Sequence, residues 1–209
     1  APIRLNYDYS SNELAHLMAN DSDGFNRWDA GQKLSLKVLN QLIEDAVADR
    51  ELVMDQQLIT VLGDVLSDQS LDPAMVNLML QLPSEAQLHE QAEIIQVQAI
   101  HRAREFARQS IASALQAQLV STHQRLTETQ AYAPEAEQIG RRALRNCSLG
   151  YLMNIEGVGS ELAWQQFNDA SNMTDKAAAL SALVNCETAQ DYAAQALKTF
   201  EQDYANETL

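Results

Sequence analysis

Apolar positions recur every three or four residues along almost the whole chain, and only the first nine residues break that rhythm. In Ile3-Arg4-Leu5-Asn6-Tyr7-Asp8-Tyr9 apolar and polar residues alternate with period two, which predicts a strand over 3–9. No later segment offers it a partner strand, and a lone strand cannot satisfy its own backbone groups. The opening therefore reads as the last strand of a preceding sheet.

From Ser10 onward the pattern is helical. Ser10 and Glu13 form a capping box for a short helix to Asn20, and Asp21-Ser22-Asp23-Gly24 breaks it. A long helix follows, with Phe25, Trp28, Val38, Leu39, Leu42, Ile43 and Ala46 on one face. Leu58, Val61, Leu62, Val65 and Leu66 mark the next. Asp72 and Pro73, a cap followed by proline at the first helical position, open a helix that ends before Pro83. Ser84, Glu85 and Glu90 predict one short helical turn.

Residues 93–127 contain neither glycine nor proline. The stripe Ile100, Ala103, Phe106, Ala107, Ile111, Ala114, Leu115 and Leu119 predicts a single long helix there. Pro134 starts another, with Ile139, Ala143, Leu144, Cys147, Leu149, Tyr151 and Leu152, and Gly157 and Gly159 read as its stop. A short helix holds Leu162, Trp164 and Phe167. Thr174 is read as the cap of a helix over 175–185, and Thr188 as the cap of a last helix ending near Tyr204.

Consecutive helices with short links predict an all-α fold, an irregular superhelix of antiparallel helix pairs with one leftover strand in front. No fixed-period repeat of a consensus array runs through the 209 residues.

Composition narrows the function more than the fold. The net charge is −15, and no Lys/Arg cluster offers nucleic acid or an anionic membrane a basic footprint. Arg102, Arg104 and Arg108, like Arg141, Arg142 and Arg145, stand at helical spacing and read as surface charge. No window holds the about 18 apolar residues of a membrane span. Cys147 and Cys186 match neither a zinc pattern nor a disulfide framework. They read as buried free thiols in a reducing compartment, which implies a cytoplasmic location.

Few residues suggest chemistry. His89-Glu90-Gln91-Ala92-Glu93 begins like a zincin helix, but its fifth position is Glu93 instead of a second histidine. It reads as a solvated turn. His101 and His123 lie too far apart on one helix to meet, His16 stands alone, and Cys147 has no histidine nearby in sequence. Gly157-Val158-Gly159 follows a helix and not a strand, so it is no phosphate loop. Asn172-Met173-Thr174-Asp175 reads as a turn and cap with Asp175 at the positive helix end, with a substrate-facing role as the alternative. Phe25 and Trp28 share a helix face as core or an interdomain contact. No catalytic, cofactor-binding or metal-ligating residue is assigned.

Several collinear stretches resemble one family. Ala1-Pro2-Ile3-Arg4-Leu5-Asn6-Tyr7-Asp8-Tyr9-Ser10, followed by Leu17-Met18-Ala19-Asn20-Asp21-Ser22-Asp23-Gly24-Phe25-Asn26-Arg27-Trp28-Asp29-Ala30-Gly31-Gln32, is similar to the junction between the small β-sandwich and the C-terminal helical domain of bacterial aminopeptidase N. Leu71-Asp72-Pro73-Ala74, Leu82-Pro83-Ser84, Arg142-Ala143-Leu144-Arg145-Asn146-Cys147 and Phe167-Asn168-Asp169-Ala170-Ser171-Asn172-Met173-Thr174-Asp175 resemble the same domain. The resemblance covers essentially the whole chain.

What the resemblance implies is a non-catalytic part of a zinc-dependent peptidase. In such enzymes zinc activates a water, and a glutamate acts as general base, in the removal of N-terminal residues from peptides. None of those catalytic motifs is carried over to a position here. Residues 1–9 would be the residual strand of the β-sandwich domain and 10–209 a truncated C-terminal helical domain, so that the chain is cut at both ends. Its partners would be the catalytic and β-sandwich domains of the parent chain and the peptide substrates enclosed with them. The competing function class is an independent helical scaffold that binds a protein partner on a concave face. Truncation would also uncover Leu180, Leu183, Val184, Tyr192, Ala196, Leu197 and Phe200 and favour non-native self-association.

Overall fold

The structure, a computed structural model, describes residues 7–127 and 131–206. Among these it contains α-helices, one 3-10 turn and no strand. The fold class is all-α, as the period of the apolar positions predicts. Residues 3–6 of the expected strand lie outside the described residues, and Tyr7–Tyr9 have no regular secondary structure.

The chain divides into two compact units. The first holds the chain up to Leu71 together with Leu78–Ala107, and the second holds Asp72–Asn77 and the chain from Arg108 onward.

In the first unit, α1 (Ser11–Asn20), α2 (Gly24–Val47) and α3 (Gln56–Ser67) pack on one another. Their starts are set by short polar side chains that accept the free N–H groups of the first turn. Ser10 and Glu13 form a complete capping box. The Glu13 carboxyl is held below its ordinary value by the Ser10 backbone N–H. Asp23 accepts from Asn26 N at 3.0 Å and Asp55 from Gln57 N at 2.7 Å. Leu14, Met18, Leu34, Leu39, Leu42, Leu58 and Leu62 fill the space between the three helices. A Cβ on Gly31 would sit 3.0 Å from Met18 Sδ, so this glycine lets α1 approach α2 closely. Arg27 Nε donates to Met18 O at 2.8 Å and closes the end of α1.

The helices α4 (Pro73–Leu80) and α5 (Glu85–Gln91) start as the sequence predicts. Asp72 accepts from Ala74 N at 2.7 Å, and Ser84 forms a capping box with Gln87. The single helix expected over 93–127 is not formed. Residues 93–96 are a loop, with Ile94 74% exposed, and helix resumes as α6 (Val97–Ala114) and α7 (Gln116–Arg125). Two adjacent β-branched residues, Ile94 and Ile95, disfavour helix in the loop. At Leu115 the backbone moves to φ −106° and ψ 17°, in the bridge region of the Ramachandran plane. Helical hydrogen bonds continue on both sides, from Leu115 N to Ile111 O and from Leu119 N to Leu115 O, each 2.9 Å. No glycine or proline marks the break in the sequence.

The second unit continues with α8 (Ala136–Leu152), α9 (Val158–Asp169), α10 (Met173–Val184), a 3-10 turn (Glu187–Ala189) and α11 (Gln190–Asn206). Glycine acts differently from the expected helix stop. Gly157 takes φ 76° in the turn before α9, a left-handed conformation that suits a residue without Cβ. Gly159 lies inside α9, where a Cβ would come 2.4 Å from Leu152 O and 2.5 Å from Met153 Cα. It is the point at which the start of α9 crosses the end of α8. The cap of α10 is Asn172, whose Oδ1 accepts from Asp175 N at 2.9 Å, in place of Thr174. Thr188 lies in the 3-10 turn and does not start α11.

Leu149, Ala163, Phe167, Ala179, Leu183, Ala189, Ala193 and Ala196 form one apolar cluster between α8 and α11. Trp164 stacks on Tyr192 with ring centroids 5.3 Å apart and adds an aromatic lid. The face expected to be uncovered is closed in part by this unit. Leu183 and Ala196 are buried, and Leu180, Tyr192 and Phe200 pack against the cluster, while Val184 and Leu197 are exposed.

Candidate functional site: a buried polar network in the second unit

Four polar side chains of the second unit occupy core positions. Each stands three or four residues from buried apolar neighbours on its own helix: His123 from Leu119 and Leu126, Arg145 from Leu149 and Leu152 (a turn further on), Gln166 from Ala163, and Asp175 from Ala179. Helical geometry therefore turns them inward with the apolar stripe. His123, Arg145, Gln166 and Asp175 are all less than a tenth exposed.

A burial this deep requires partners, and the four supply them to one another. Gln166 Nε2 donates to the Asp175 backbone carbonyl at 2.9 Å and to Asn146 Oδ1 at 2.7 Å. A backbone carbonyl can only accept, so the orientation of this amide is fixed. Its Oε1 then faces His123 Nε2 at 2.8 Å, and His123 must donate there. Nε2 therefore carries a proton, and Nδ1 has no partner among the described residues.

The Asp175 carboxylate accepts from Asn146 Nδ2 at 3.0 Å, Arg145 NH1 at 3.2 Å and Asn172 Nδ2 at 3.1 Å. Three donors occupy this buried carboxylate and hold it as the counter-ion of Arg145. Burial lowers the proton affinity of the Arg145 guanidinium, and Asp175 opposes that effect. The arrangement joins α7, α8, α9 and α10 through side chains and the Asp175 backbone carbonyl. Chemically it is a lock.

A second clamp lies beside it on α8. Gln138 Oε1 accepts from Ala133 N at 2.8 Å and from Arg142 NH1 at 3.0 Å, while Gln138 Nε2 donates to Ala131 O at 3.0 Å. The Arg142 guanidinium covers the Tyr132 ring at 4.9 Å. This holds the 131–135 segment onto the helix that follows it.

These contacts correct the expectation that Arg142 and Arg145 are surface charge, since both are buried. Arg104 donates to Pro83 O at 3.0 Å and Arg108 to Gly150 O at 3.1 Å, so each is half-buried and ties down a carbonyl. Arg102 is an exposed partner of Asp49 at 3.6 Å. Asp175, expected to face the helix end, instead turns its carboxylate into the network.

The other candidates stay apart. His89 is in α5, but that helix ends at Gln91, so Glu93 falls in the loop and the two do not share a helix face. His101 pairs with Glu85 at 2.9 Å, and exposed His16 lies 3.3 Å from Asn20. Among the described residues no group of three His, Cys, Asp or Glu side chains is placed to hold a metal. Cys147 and Cys186 are free and half-buried. Burial pushes the Cys147 thiol up to about 12, which makes it inert as a nucleophile at neutral pH. Phe25 is 66% exposed with its ring 5.6 Å from the Trp28 ring, so Phe25 is not a core residue of this unit. No helix among the described residues is long and apolar enough to cross a membrane.

Residues 11–209 match the family described as a domain of unknown function (DUF3458_C), ARM repeats. Aminopeptidase N of Haemophilus influenzae is 33% identical over 183 residues, which is 87% of this chain and 21% of the relative. Aminopeptidase N of Escherichia coli is 33% identical over 185 residues, 88% of this chain and again 21% of the relative. Among solved structures, Legionella pneumophila aminopeptidase A in complex with aspartic acid is similar with a TM-score of 0.78 and 27% identity, over 99% of this chain and 25% of that one. The chain spans about a fifth to a quarter of the length of these relatives.

Proposed function

We propose, from the premise that the chain belongs to the ARM-repeat family DUF3458_C and is related to aminopeptidase N, that it is a non-catalytic helical segment of a zinc-dependent aminopeptidase. In that reading it stands at the C-terminal side of the parent and helps enclose the chamber where N-terminal residues are hydrolysed from peptides. Residues 1–9 would be the end of a preceding β-sandwich domain and 10–209 the helical domain. The zinc, its ligands and the general base would belong to a catalytic domain elsewhere in the parent. The two free thiols support a reducing, cytoplasmic setting.

The observation that carries this reading is the match itself. It runs through nearly all of this chain, yet covers only a fifth of each aminopeptidase N. A scaffold with an independent role has no comparable support. The polar network supports a structural role: four helices of the second unit are tied by buried charge and amide groups. A wall of a chamber needs such ties more than it needs chemistry.

The test is to assay the isolated 209-residue chain and the full-length parent side by side on aminoacyl anilides, with zinc measured after dialysis. The expected result is activity and about one zinc per chain for the parent, and neither for the isolated chain. Stoichiometric zinc or turnover in the isolated chain overturns the reading.

A further inference from the structure

We propose that His123 is a proton-sensitive catch in the second unit: the neutral ring joins α7 to the network, and the network admits a proton only when α7 releases that ring to water. The argument starts from hydrogen-bond direction. The Asp175 carbonyl fixes the Gln166 amide, the amide fixes a proton on Nε2, and Nδ1 is left with no partner among the described residues. A second proton would have to go on Nδ1. In the closed network it would create a buried donor without an acceptor, on a ring that is 3% exposed.

The surrounding charges do not compensate. From α8 the ring feels the Arg145 cation, and from α10 the Asp175 carboxylate. From α9 the neutral Gln166 amide meets the ring, and the Asp169 carboxylate acts on Arg145. Asp175 is the one anion in the network, and it already serves Arg145, Asn146 and Asn172. A charged His123 would place a second cation on an occupied counter-ion. Moving the ring into water relieves both problems, and buried Leu119 on α7 and Leu126 just past its end would have to loosen with it.

Burial first, and then the Arg145 charge, hold folded His123 below the ordinary histidine value, while Gln166 and Asp175 act in the other direction. An unfolded histidine titrates near 6.5. Above that pH neither state holds the proton, and the catch has no effect on stability. Below it, the unfolded or opened chain takes the proton and the closed one does not. The closed state is then disfavoured by up to about tenfold per pH unit until the lower folded value is reached.

Two measurements on the full 209-residue chain decide the matter. The first is hydrogen exchange at pH 7.5 and 5.5, corrected for the intrinsic pH dependence of exchange, in the parent and in His123→Gln. The expected result is a loss of protection in α7 and α9 on acidification, up to about tenfold, that is absent from the variant. Equal losses in both proteins overturn the proposal. The second needs no variant, should His123→Gln fail to fold: the ring nitrogen resonances of His123 in the parent. A neutral Nε2–H ring that persists below pH 6.5 supports the catch. An Nδ1–H tautomer, or titration at 6.5 or above, overturns it.

Discussion

Removing the charge from Asp175 should destabilise the second unit more than any other single change in the network. In Asp175→Asn the Arg145 guanidinium, 6% exposed, keeps its charge and loses the carboxylate 3.2 Å away. Its Nε has no acceptor among the described residues to fall back on. Breaking a buried pair in this way costs about 3–5 kcal/mol, most of it the penalty of an uncompensated buried ion. Arg145→Met should cost less, because the carboxylate keeps the amide donors of Asn146 and Asn172 at 3.0 and 3.1 Å. The double variant, with no buried ion, should cost less than the sum of the two by about 1–3 kcal/mol. The two tryptophans make this measurable, since Trp28 belongs to the first unit and Trp164 to the second. In a Trp28→Phe background, fluorescence reports the second unit alone. With a urea m-value on the order of 2 kcal/mol per molar, Asp175→Asn should lower the midpoint by about 1.5–2.5 M. A midpoint within about 0.5 M of the parent, or strict additivity in the double variant, would refute the claim that this pair is a desolvated lock.

Two glycines of the second unit should respond in opposite directions. Gly159→Ala puts a methyl 2.4 Å from Leu152 O, against backbone that cannot turn aside, and should cost about 2 kcal/mol or more. Gly150→Ala, inside α8 with nothing within 4 Å of the new Cβ, should gain about 0.5–1 kcal/mol from helix propensity. The same urea experiment reads both, and similar effects would mean the α8–α9 crossing is misjudged. Cys147, pushed up to about 12, should hold roughly one part in ten thousand as thiolate at pH 8. Iodoacetamide at that pH, followed by peptide mass mapping, should leave Cys147 unmodified in the folded chain and alkylate it in urea. Rapid alkylation of the folded chain would contradict this.

Most helices were legible because each leaves two independent marks. The Ser10–Glu13 box, Asp72 before Pro73, and Ser84 all cap helices where the apolar period begins. Where one mark is missing, the reading slips. Residues 93–127 carry an unbroken apolar stripe with no breaker, and nothing in the stripe tells of the loop at 93–96 or of the turn at Leu115. Gly159 slips for another reason. A glycine after a helix looks like a stop, but its role here is set by the backbone of Leu152 and Met153, which only tertiary structure brings near.

The network was illegible in a more instructive way. A polar residue inside an apolar stripe can be solvent-facing noise or a buried group with partners, and periodicity does not separate the two. Arg145, Gln166 and Asp175 each look dispensable on their own helix. Their meaning appears only when α8, α9 and α10 are assembled, because each satisfies a group that another would leave unpaired. One signal was available. Arg142–Cys147 and Phe167–Asp175 are the stretches that carry the resemblance to aminopeptidase N in this half of the chain, and they supply Arg145, Asn146, Asn172 and Asp175. Distinctive polar residues in two distant stretches of a protein without a catalytic constellation need a reason to be distinctive together. Mutual burial is a sufficient one: Arg145 and Asn146 from the first stretch meet Asn172 from the second on the Asp175 carboxylate, and Arg145 and Asn146 are left without that partner if the second stretch is changed.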